Sequence, residues 1–193
     1  YDRHAGRDNR MTRIIAGEKR GTQILAPQGL DTRPTTDRVR EALFGSIQFE
    51  ISGAVILDLF AGSGALGLEA LSRGAKESVF CDRYDDPVKI IKKNIARLGY
   101  YNRAKVLKND YIHAIKVFQN TKKFDIVFID PPYRSGYYDD VFKRLAEQEV
   151  LASGALLIAE SEEPIEIGID GYVRYKNKKY GRTHVTFFRW DNK

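Results

Sequence analysis

The pattern of apolar and polar positions is most regular after residue 54, where short apolar runs alternate with amphipathic segments. The first run, Val55–Leu59, is apolar except at Asp58, which predicts a strand buried on both faces. Gly62 and Gly64 then end the strand and lead into a helix over Ala65–Arg73. A strand, a tight loop and a helix in this order predict the first unit of a parallel α/β sheet.

The rest of the chain continues this alternation. Further strands are predicted at Ser78–Asp82, Ala104–Lys108, Phe124–Ile129, Ala155–Ala159, Tyr172–Lys176 and Val185–Arg189. Further helices are predicted at Asp86–Leu98, Asp110–Phe118 and Tyr138–Gln148, with Asp86 and Asp110 as caps, Pro87 in a first turn and Gly99 as a closing residue. We therefore predict a Rossmann-like α/β fold with a seven-stranded sheet, mostly parallel, that is closed by an antiparallel strand.

A smaller region precedes the first core strand. Two short apolar segments, Thr12–Ala16 and Thr22–Ala26, flank a turn that carries Lys19 and Arg20. This pattern predicts a β-hairpin with a basic tip. A helix follows and is predicted to run to about residue 47. Its cap is Thr35 or Thr36, its apolar face is formed by Val39, Leu43 and Ile47, and Arg38 and Arg40 lie off that face.

Length and composition suit one domain with a modest extension, because 193 residues of which 42% are apolar can bury a sizeable core. Residues 1–10 precede the only methionine, Met11, and are expected to be an expression-tag remnant or a processed leader. Residues 11–54 form the hairpin-and-helix extension, and residues 55–193 are the predicted catalytic domain.

Several classes of protein are disfavoured. No apolar run is long enough to span a membrane, and the expected location is the cytoplasm, with a monomer as the expected state. A single cysteine, Cys81, excludes an internal disulfide and is predicted to be a small core side chain. The three scattered histidines, His4, His113 and His184, predict no metal site.

The chain is basic, with a formal net charge of +6 and a pI near 9.3. The segment Tyr172–Lys193 concentrates basic residues between tyrosines, which suits the phosphates and bases of a nucleic acid. The candidate RNA-binding residues are Arg13, Lys19, Arg20, Arg38, Lys178, Lys179 and Arg182. For the charges of the hairpin tip, an ordinary solvated turn is the alternative.

The glycine loop has a ligand-binding pattern. Gly62, Gly64 and Gly67 match G-x-G-x-x-G, which by itself also fits a nicotinamide cofactor. Asp58 would repel a pyrophosphate but can pair with an ammonium, and S-adenosylmethionine carries one. Asp82, twenty residues after Gly62, suits the ribose hydroxyls of either ligand. The choice of S-adenosylmethionine as the predicted cofactor depends on the motif that follows the fourth strand.

That motif is Asp130-Pro-Pro-Tyr133, at the end of a central strand. An exocyclic base amine is a poor nucleophile because its lone pair is delocalised into the ring. Asp130 and the carbonyl of Pro131 can accept its two hydrogens and localise the lone pair, while Pro131 and Pro132 together restrict the turn. Tyr133 offers a ring for stacking the base. The alternative is a proline-rich loop that ends a buried strand.

Together these motifs resemble those of the class I S-adenosylmethionine-dependent methyltransferases. They are most similar to the RsmD type, which methylates the 2-amino group of a guanine in bacterial 16S ribosomal RNA. The resemblance spans residues 11–190 and is carried by Arg33–Phe44, Leu57–Gly64 and Asp130–Tyr133, none of which departs from the family pattern.

The resemblance implies a set of site residues and partners. It implies cofactor contacts at Asp58, Phe60, Ala61, Gly62, Ser63, Gly64, Asp82, Arg83, Asp110 and Tyr111, and base binding and catalysis at Asp130, Pro131, Pro132 and Tyr133. For Asp110, helix capping alone is the alternative. The implied partner is ribosomal RNA or the small-subunit particle, with the basic hairpin facing the RNA and the target base unpaired or flipped out.

Other functions remain open at this point. The enzyme could methylate an adenine amine of RNA or DNA, because aspartate also suits that base. A noncatalytic ribosome-assembly factor could keep the same fold and basic surface, but would not need an intact Asp-Pro-Pro-Tyr motif. A nicotinamide-dependent oxidoreductase would need a hydride-transfer site, which the sequence does not suggest.

Overall fold

The structure, a computed structural model, describes residues 10–27, 37–132 and 136–191. Within them the strands are β1 (Arg10–Arg13), β2 (Gln23–Ala26), β3 (Val55–Leu59), β4 (Glu77–Asp82), β5 (Ala104–Lys108), β6 (Phe124–Ile129), β7 (Leu151–Ser161), β8 (Tyr172–Tyr180) and β9 (Thr183–Trp190). The helices are α1 (Asp37–Ser46), α2 (Ala65–Ser72), α3 (Asp85–Leu98), α4 (Tyr111–Val117) and α5 (Tyr137–Glu147). None of these helices is long and apolar enough to cross a membrane.

The described strands after the hairpin form one seven-stranded sheet in the order β5-β4-β3-β6-β7-β9-β8. β3 to β7 pair in parallel, whereas β9 is antiparallel to both β7 and β8. The predicted Rossmann-like sheet is therefore confirmed. The chain builds outward from β3 to β5 and then returns to β6, so the order reverses between β3 and β6. Open α/β sheets bind ligands at the carboxyl ends of the strands at such a point.

Two apolar layers cover the sheet. α1, α2 and α3 pack on one side, which we call the α1 face, and α4 and α5 pack on the other. On the α1 face, the rings of Phe44 and Phe128 are 5.7 Å apart. On the opposite face, Phe142 meets Phe188 edge-on at 4.9 Å. Burial on both faces explains why the central strands are almost continuously apolar.

The hairpin lies against α2 and α3 through side chains that bind its backbone. Glu69, which is fully buried, accepts the N–H groups of Ile15 and Ala16 at 2.8 and 3.0 Å. Asn94 accepts the N–H of Leu25 at 2.8 Å and donates to its carbonyl at 2.9 Å. We call Glu69, Asn94 and the hairpin backbone that they bind the hairpin seam. Because Glu69 takes the two N–H groups after β1, that strand ends before the predicted Ala16.

Arg40 contradicts the predicted helix face. The sequence pattern places it off the apolar stripe, but its side chain is only 1% exposed. The guanidinium donates to Asp37 at 3.0 Å and to the Thr12 hydroxyl at 3.2 Å, and it also contacts the Arg13 carbonyl. Burial lowers the pKa of Arg40. The long side chain thus reaches from α1 to β1 and joins the two parts of the extension.

Two predicted boundaries also change. The N-cap of α3 is Tyr84 rather than Asp86, because the helix begins one residue earlier than predicted, at Asp85. β1 begins at Arg10, inside the segment that was set aside, and Arg10 pairs with Ala26. The predicted caps Thr35 and Thr36 lie outside the described residues.

Candidate cofactor and base site

The loop between β3 and α2 is shaped by positive backbone torsion angles. Gly62 and Gly64 have φ of 57° and 77°, which favour glycine, and Phe60 has φ of 62°. The N–H of Ala61 donates to the Cys81 carbonyl at 2.9 Å, which joins the loop to β4. Ser63 lies between the two glycines, and α2 begins directly after them with N–H groups free for an acceptor.

Asp58 lies beneath this loop and is 2% exposed. Its Oδ2 accepts the Gly67 N–H at 3.0 Å. α2 can approach this closely because Gly67 has no side chain: a Cβ there would lie 2.3 Å from the Phe80 ring. Burial raises the pKa of Asp58 to about 8. A carboxylate with so little compensation favours a cationic ligand, which fits the predicted role in holding an ammonium.

Asp82 ends β4 and supports the same loop. Its Oδ2 accepts the Gly62 N–H and its Oδ1 accepts the Tyr84 N–H, both at 3.0 Å. Burial raises the pKa of Asp82. Arg83 is exposed beside it, with its guanidinium 4.5 Å from the centre of the Tyr84 ring. The structure therefore brings Asp58, Asp82 and the glycine loop together, as the sequence predicts.

Asp110 is the N-cap of α4, as predicted. Its side chain accepts the His113 N–H at 2.9 Å and lies 2.8 Å from the Nδ1 atom of the same histidine. This bond lowers the pKa of Asp110. The capping role is confirmed, and a contact between Asp110 and an adenine stays a prediction.

An aromatic cluster lies between the glycine loop and the start of α5. The ring of Phe60 is 5.6 Å from that of Tyr111 and 6.0 Å from that of Tyr137, and the two tyrosine rings are 5.4 Å apart. The Tyr111 hydroxyl donates to Asp140 at 2.6 Å. Burial and then this carboxylate raise the pKa of Tyr111 to about 12. The sequence analysis identified Tyr111 and missed Tyr137, although an aromatic pair at residues 137–138 follows the Asp-Pro-Pro-Tyr motif closely.

Asp130 directly follows β6, the neighbour of β3 in the sheet. Leu59 pairs with Ile129, so the glycine loop and Asp130 leave the sheet side by side. Burial and the negative charges of Glu160 and Asp58 raise the pKa of Asp130 well above its ordinary range. We call this region, where β3, β6 and β7 end, the carboxyl edge.

The rest of the motif continues from the carboxyl edge. Pro131 is buried, and Pro132 is exposed. The predicted stacking residue Tyr133 lies outside the described residues. Pro132 and Tyr138 line a cleft of about 380 Å³. The acidic residues along this cleft are Asp139, Glu162, Glu163 and Glu166.

Glu160 is a site residue that the sequence analysis missed. It lies near the end of β7 and is 6% exposed. Ile129 pairs with Ala159, so the next residues along the two parallel strands, Asp130 and Glu160, are neighbours. A signal was present, because Glu160 ends the apolar run Ala155–Ala159 just as Asp130 ends β6.

The two predicted basic surfaces lie at different ends of the molecule. At the hairpin tip, the N–H of Glu18 donates to the Ser72 carbonyl at 2.8 Å and that of Lys19 donates to the Ser72 hydroxyl at 3.0 Å. Ser72 ends α2, whose eight residues span roughly 12 Å from the glycine loop. Lys19 and Arg20 are therefore far from the carboxyl edge.

The turn between β8 and β9 lies at the carboxyl edge instead. His184 pairs with Ser161 at the end of β7, which places Arg182 and Lys179 near Glu160. Both basic residues are exposed. Three other predicted RNA contacts are placed as follows: Lys178 donates to the Ser46 hydroxyl at 2.9 Å, Arg13 binds Asp37 at 3.2 Å, and Arg38 is exposed on α1.

Cys81 is a core residue, as predicted. It is 2% exposed, and burial raises its pKa to about 12, so the thiol stays protonated. Within residues 10–27, 37–132 and 136–191, no group of three or more His, Cys, Asp or Glu side chains could hold a metal ion.

Comparisons with known proteins identify the family. A family model described as conserved hypothetical protein 95 matches residues 12–189. Ribosomal RNA small subunit methyltransferase D of Escherichia coli (strain K12) is 41% identical over 150 residues, which are 78% of this chain and 74% of that protein. The chain belongs to the methyltransferase D family.

Other family relatives match more of the chain. The methyltransferase D of Buchnera aphidicola (subsp. Acyrthosiphon pisum) is 34% identical over 173 residues, which are 89% of this chain and 90% of that protein. The solved structure of "Putative methyltransferase yhhF" from Escherichia coli has a TM-score of 0.84 and 34% identity, and the match covers 95% of this chain and 99% of that one. The likeness therefore covers the extension as well as the sheet, which confirms the predicted resemblance over nearly the whole length.

Proposed function

We propose that this chain transfers the methyl group of S-adenosylmethionine to the 2-amino group of a guanine in small-subunit ribosomal RNA. One observation supports this most strongly. The glycine loop with Asp58 and the Asp130–Pro131 segment leave the sheet side by side, at the point where the strand order reverses. A cofactor site and an amine-binding site at adjacent strand ends are what methyl transfer requires.

The donor set fits this cofactor. Asp58 suits its ammonium, Asp82 suits its ribose hydroxyls, and the loop between them offers N–H groups rather than side chains. When bound, S-adenosylmethionine supplies a methyl group made electrophilic by its sulfonium. The remaining chemistry belongs to the protein, which holds the acceptor in line and excludes water.

Asp130 and the carbonyl of Pro131 prepare the acceptor amine. Each accepts one amine hydrogen, which turns the nitrogen lone pair toward the methyl group. After transfer the methylated amine carries an extra proton. The raised pKa of Asp130 makes this carboxylate a better base than an exposed aspartate, so it is suited to take that proton.

The charges around the carboxyl edge favour one direction of approach for RNA. Lys179 and Arg182 lie on the β8–β9 side, whereas Glu162, Glu163 and Glu166 border the cleft on the other side. Phosphates are attracted to the first side and repelled by the second. We infer that the RNA backbone follows the β8–β9 turn while the flipped guanine enters toward Asp130.

The test is methyl transfer from labelled cofactor to ribosomal RNA and to small-subunit particles that lack the modification. Digestion of the product and mass spectrometry are expected to give 2-methylguanosine. Methylated adenosine as the product would disprove the guanine assignment, and label transfer to neither substrate would disprove the activity. Comparing RNA with particles also shows which of the two is the substrate.

A further inference from the structure

Glu160 lies on the same face of the sheet as Asp58. Side chains alternate between the two faces along a strand. In β7, Leu156 and Ile158 pack on the α1 face, which places Glu160 on that face as well. In β3, Ile56 packs on the α1 face and places Asp58 there.

Asp130 lies between these two residues. β6 pairs in parallel with β3 on one side and with β7 on the other, and neighbouring strands are about 4.8 Å apart. Three adjacent strands therefore carry a carboxylate at or near their carboxyl ends. Glu160 and Asp58 raise the pKa of Asp130 by their negative charge, so the three side chains influence each other directly.

Buried carboxylates that are neighbours repel each other unless a ligand supplies donors. The pairing edge of guanine offers adjacent donors, the ring N1–H and the 2-amino hydrogens. The pairing edge of adenine offers amine hydrogens beside a ring nitrogen whose lone pair would face a carboxylate. Glu160 and Asp130 together therefore favour the guanine edge more strongly than Asp130 can alone.

We propose that Glu160 accepts the ring N1–H of the target guanine, while Asp130 and the Pro131 carbonyl accept the hydrogens of the 2-amino group. This inference rests on the proposed function and assigns base specificity within it. Glu160 then determines which base is accepted, whereas Asp130 acts on the nitrogen that is methylated. The carboxylate near the end of β7 thus has a role in substrate recognition that the Asp-Pro-Pro-Tyr motif does not include.

2-Aminopurine separates the two roles. This base keeps the 2-amino group of guanine but has a lone pair at N1 in place of the N1–H. If Glu160 binds N1–H, 2-aminopurine leaves the carboxylate facing a lone pair, and a site built for a hydrogen bond rejects such an analogue strongly. The Glu160→Gln side chain has nearly the same shape, and its amide N–H can donate to that lone pair.

The experiment measures kcat/KM on synthetic RNA with guanine or 2-aminopurine at the target position. We expect the wild-type enzyme to prefer guanine by roughly a hundredfold, and Glu160→Gln to reduce this ratio at least about tenfold. Glu162→Gln is the matched control, because it removes an exposed charge two residues further along, and its ratio should stay unchanged. Calorimetry with S-adenosylhomocysteine checks that both variants keep the cofactor site.

The outcomes distinguish the two levels of the hypothesis. If wild type methylates no guanine, the proposed function fails and the role of Glu160 with it. If wild type methylates guanine and 2-aminopurine equally well, the proposed function stands and the role of Glu160 is refuted, even if Glu160→Gln does not fold. An unchanged ratio in folded Glu160→Gln refutes it as well.

Discussion

Buried carboxylates occur at both the hairpin seam and the carboxyl edge, but in different surroundings. In the seam, Glu69 accepts the N–H groups of Ile15 and Ala16 and the Nε–H of Arg73, at 2.8 to 3.0 Å. At the carboxyl edge, the charged groups that raise the pKa of Asp130 are both carboxylates. A buried charge with matched donors holds a structure together, whereas one beside like charges is costly until a ligand compensates it. The seam is thus suited to stability and the edge to binding.

The largest expected effect is on the seam. Glu69→Ala leaves buried N–H groups and the Arg73 guanidinium without their acceptor, so the free energy of unfolding should fall by about 3–5 kcal/mol. Urea denaturation measures this change. Glu163→Ala, which removes an exposed carboxylate, is the control and should change stability by less than about 0.5 kcal/mol. A loss below about 1 kcal/mol for Glu69→Ala would show that the seam does not depend on this residue.

At the carboxyl edge, the effect should be on turnover rather than stability. Asp130→Ala should lower kcat roughly a hundredfold or more, because polarisation of the amine acts mainly in the transition state. Stability should be kept or increased, because the substitution removes a charge beside Glu160 and Asp58. Single-turnover methyl transfer and urea denaturation measure the two effects. Near-normal turnover would contradict the proposed mechanism, and a large loss of stability would contradict the comparison between the regions.

Asp82 combines both kinds of surroundings, because it accepts two backbone N–H groups and also lies in the cofactor site. Asp82→Ala should weaken the binding of S-adenosylhomocysteine at least roughly tenfold, since it removes charge-assisted hydrogen bonds of about 1.5–3 kcal/mol. Isothermal calorimetry gives the affinity. An unchanged affinity in a folded variant would exclude Asp82 as the ribose ligand.

Asp58 makes the stability of the unliganded protein depend on pH. Its pKa is about 8 in the folded state, against 3.8 as the ordinary value, so between about pH 4 and pH 8 the native state holds a proton that the unfolded chain has lost. Stability should therefore fall as pH rises through this window, by at most about 1.4 kcal/mol per pH unit. Asp58→Asn should flatten this dependence in urea titrations at several pH values. Identical slopes for both proteins would rule out this contribution.

The smallest expected effect separates the two basic surfaces. Neutralising Lys179 and Arg182 should lower the salt dependence of binding to a short target RNA by about 0.7–0.9 log units per phosphate contact. The matched variant without Lys19 and Arg20 should keep the wild-type slope on this RNA, because the hairpin tip is far from the carboxyl edge. Equal changes in both variants would mean that RNA spans both ends of the sheet.

Local patterns predicted most of the sheet and part of the site. The apolar runs of β3 and β6 are long enough to identify buried strands, and Asp58 and Asp130 stand out because they interrupt or end them. Gly62 and Gly64 identify the loop because only glycine adopts its torsion angles freely. These signals lie within a few residues of each other in the sequence.

The missed residues depend on contacts between distant elements. Glu160 matters because β7 lies beside β6, which follows from the strand order and not from any local pattern. Arg40 has the polarity of a surface residue, but β1 and α2 cover it and supply acceptors. Tyr137 joins the site because α5 begins beside the glycine loop. In each case the sequence shows the residue type, and the chain crossing supplies its role.

Asn94 in the hairpin seam has a consequence for how the chain is made. It binds Leu25 of β2 and the Ser63 carbonyl of the glycine loop, and the first of these contacts joins residues 69 positions apart. At roughly 5–20 residues per second of synthesis, Leu25 is made roughly 3–14 s before Asn94. A two-stranded hairpin is at best marginally stable alone in water. During synthesis, Ile14 and Ile24 must therefore wait for α2 and α3 before they are buried, and this interval is when the growing chain is most open to aggregation and to chaperones.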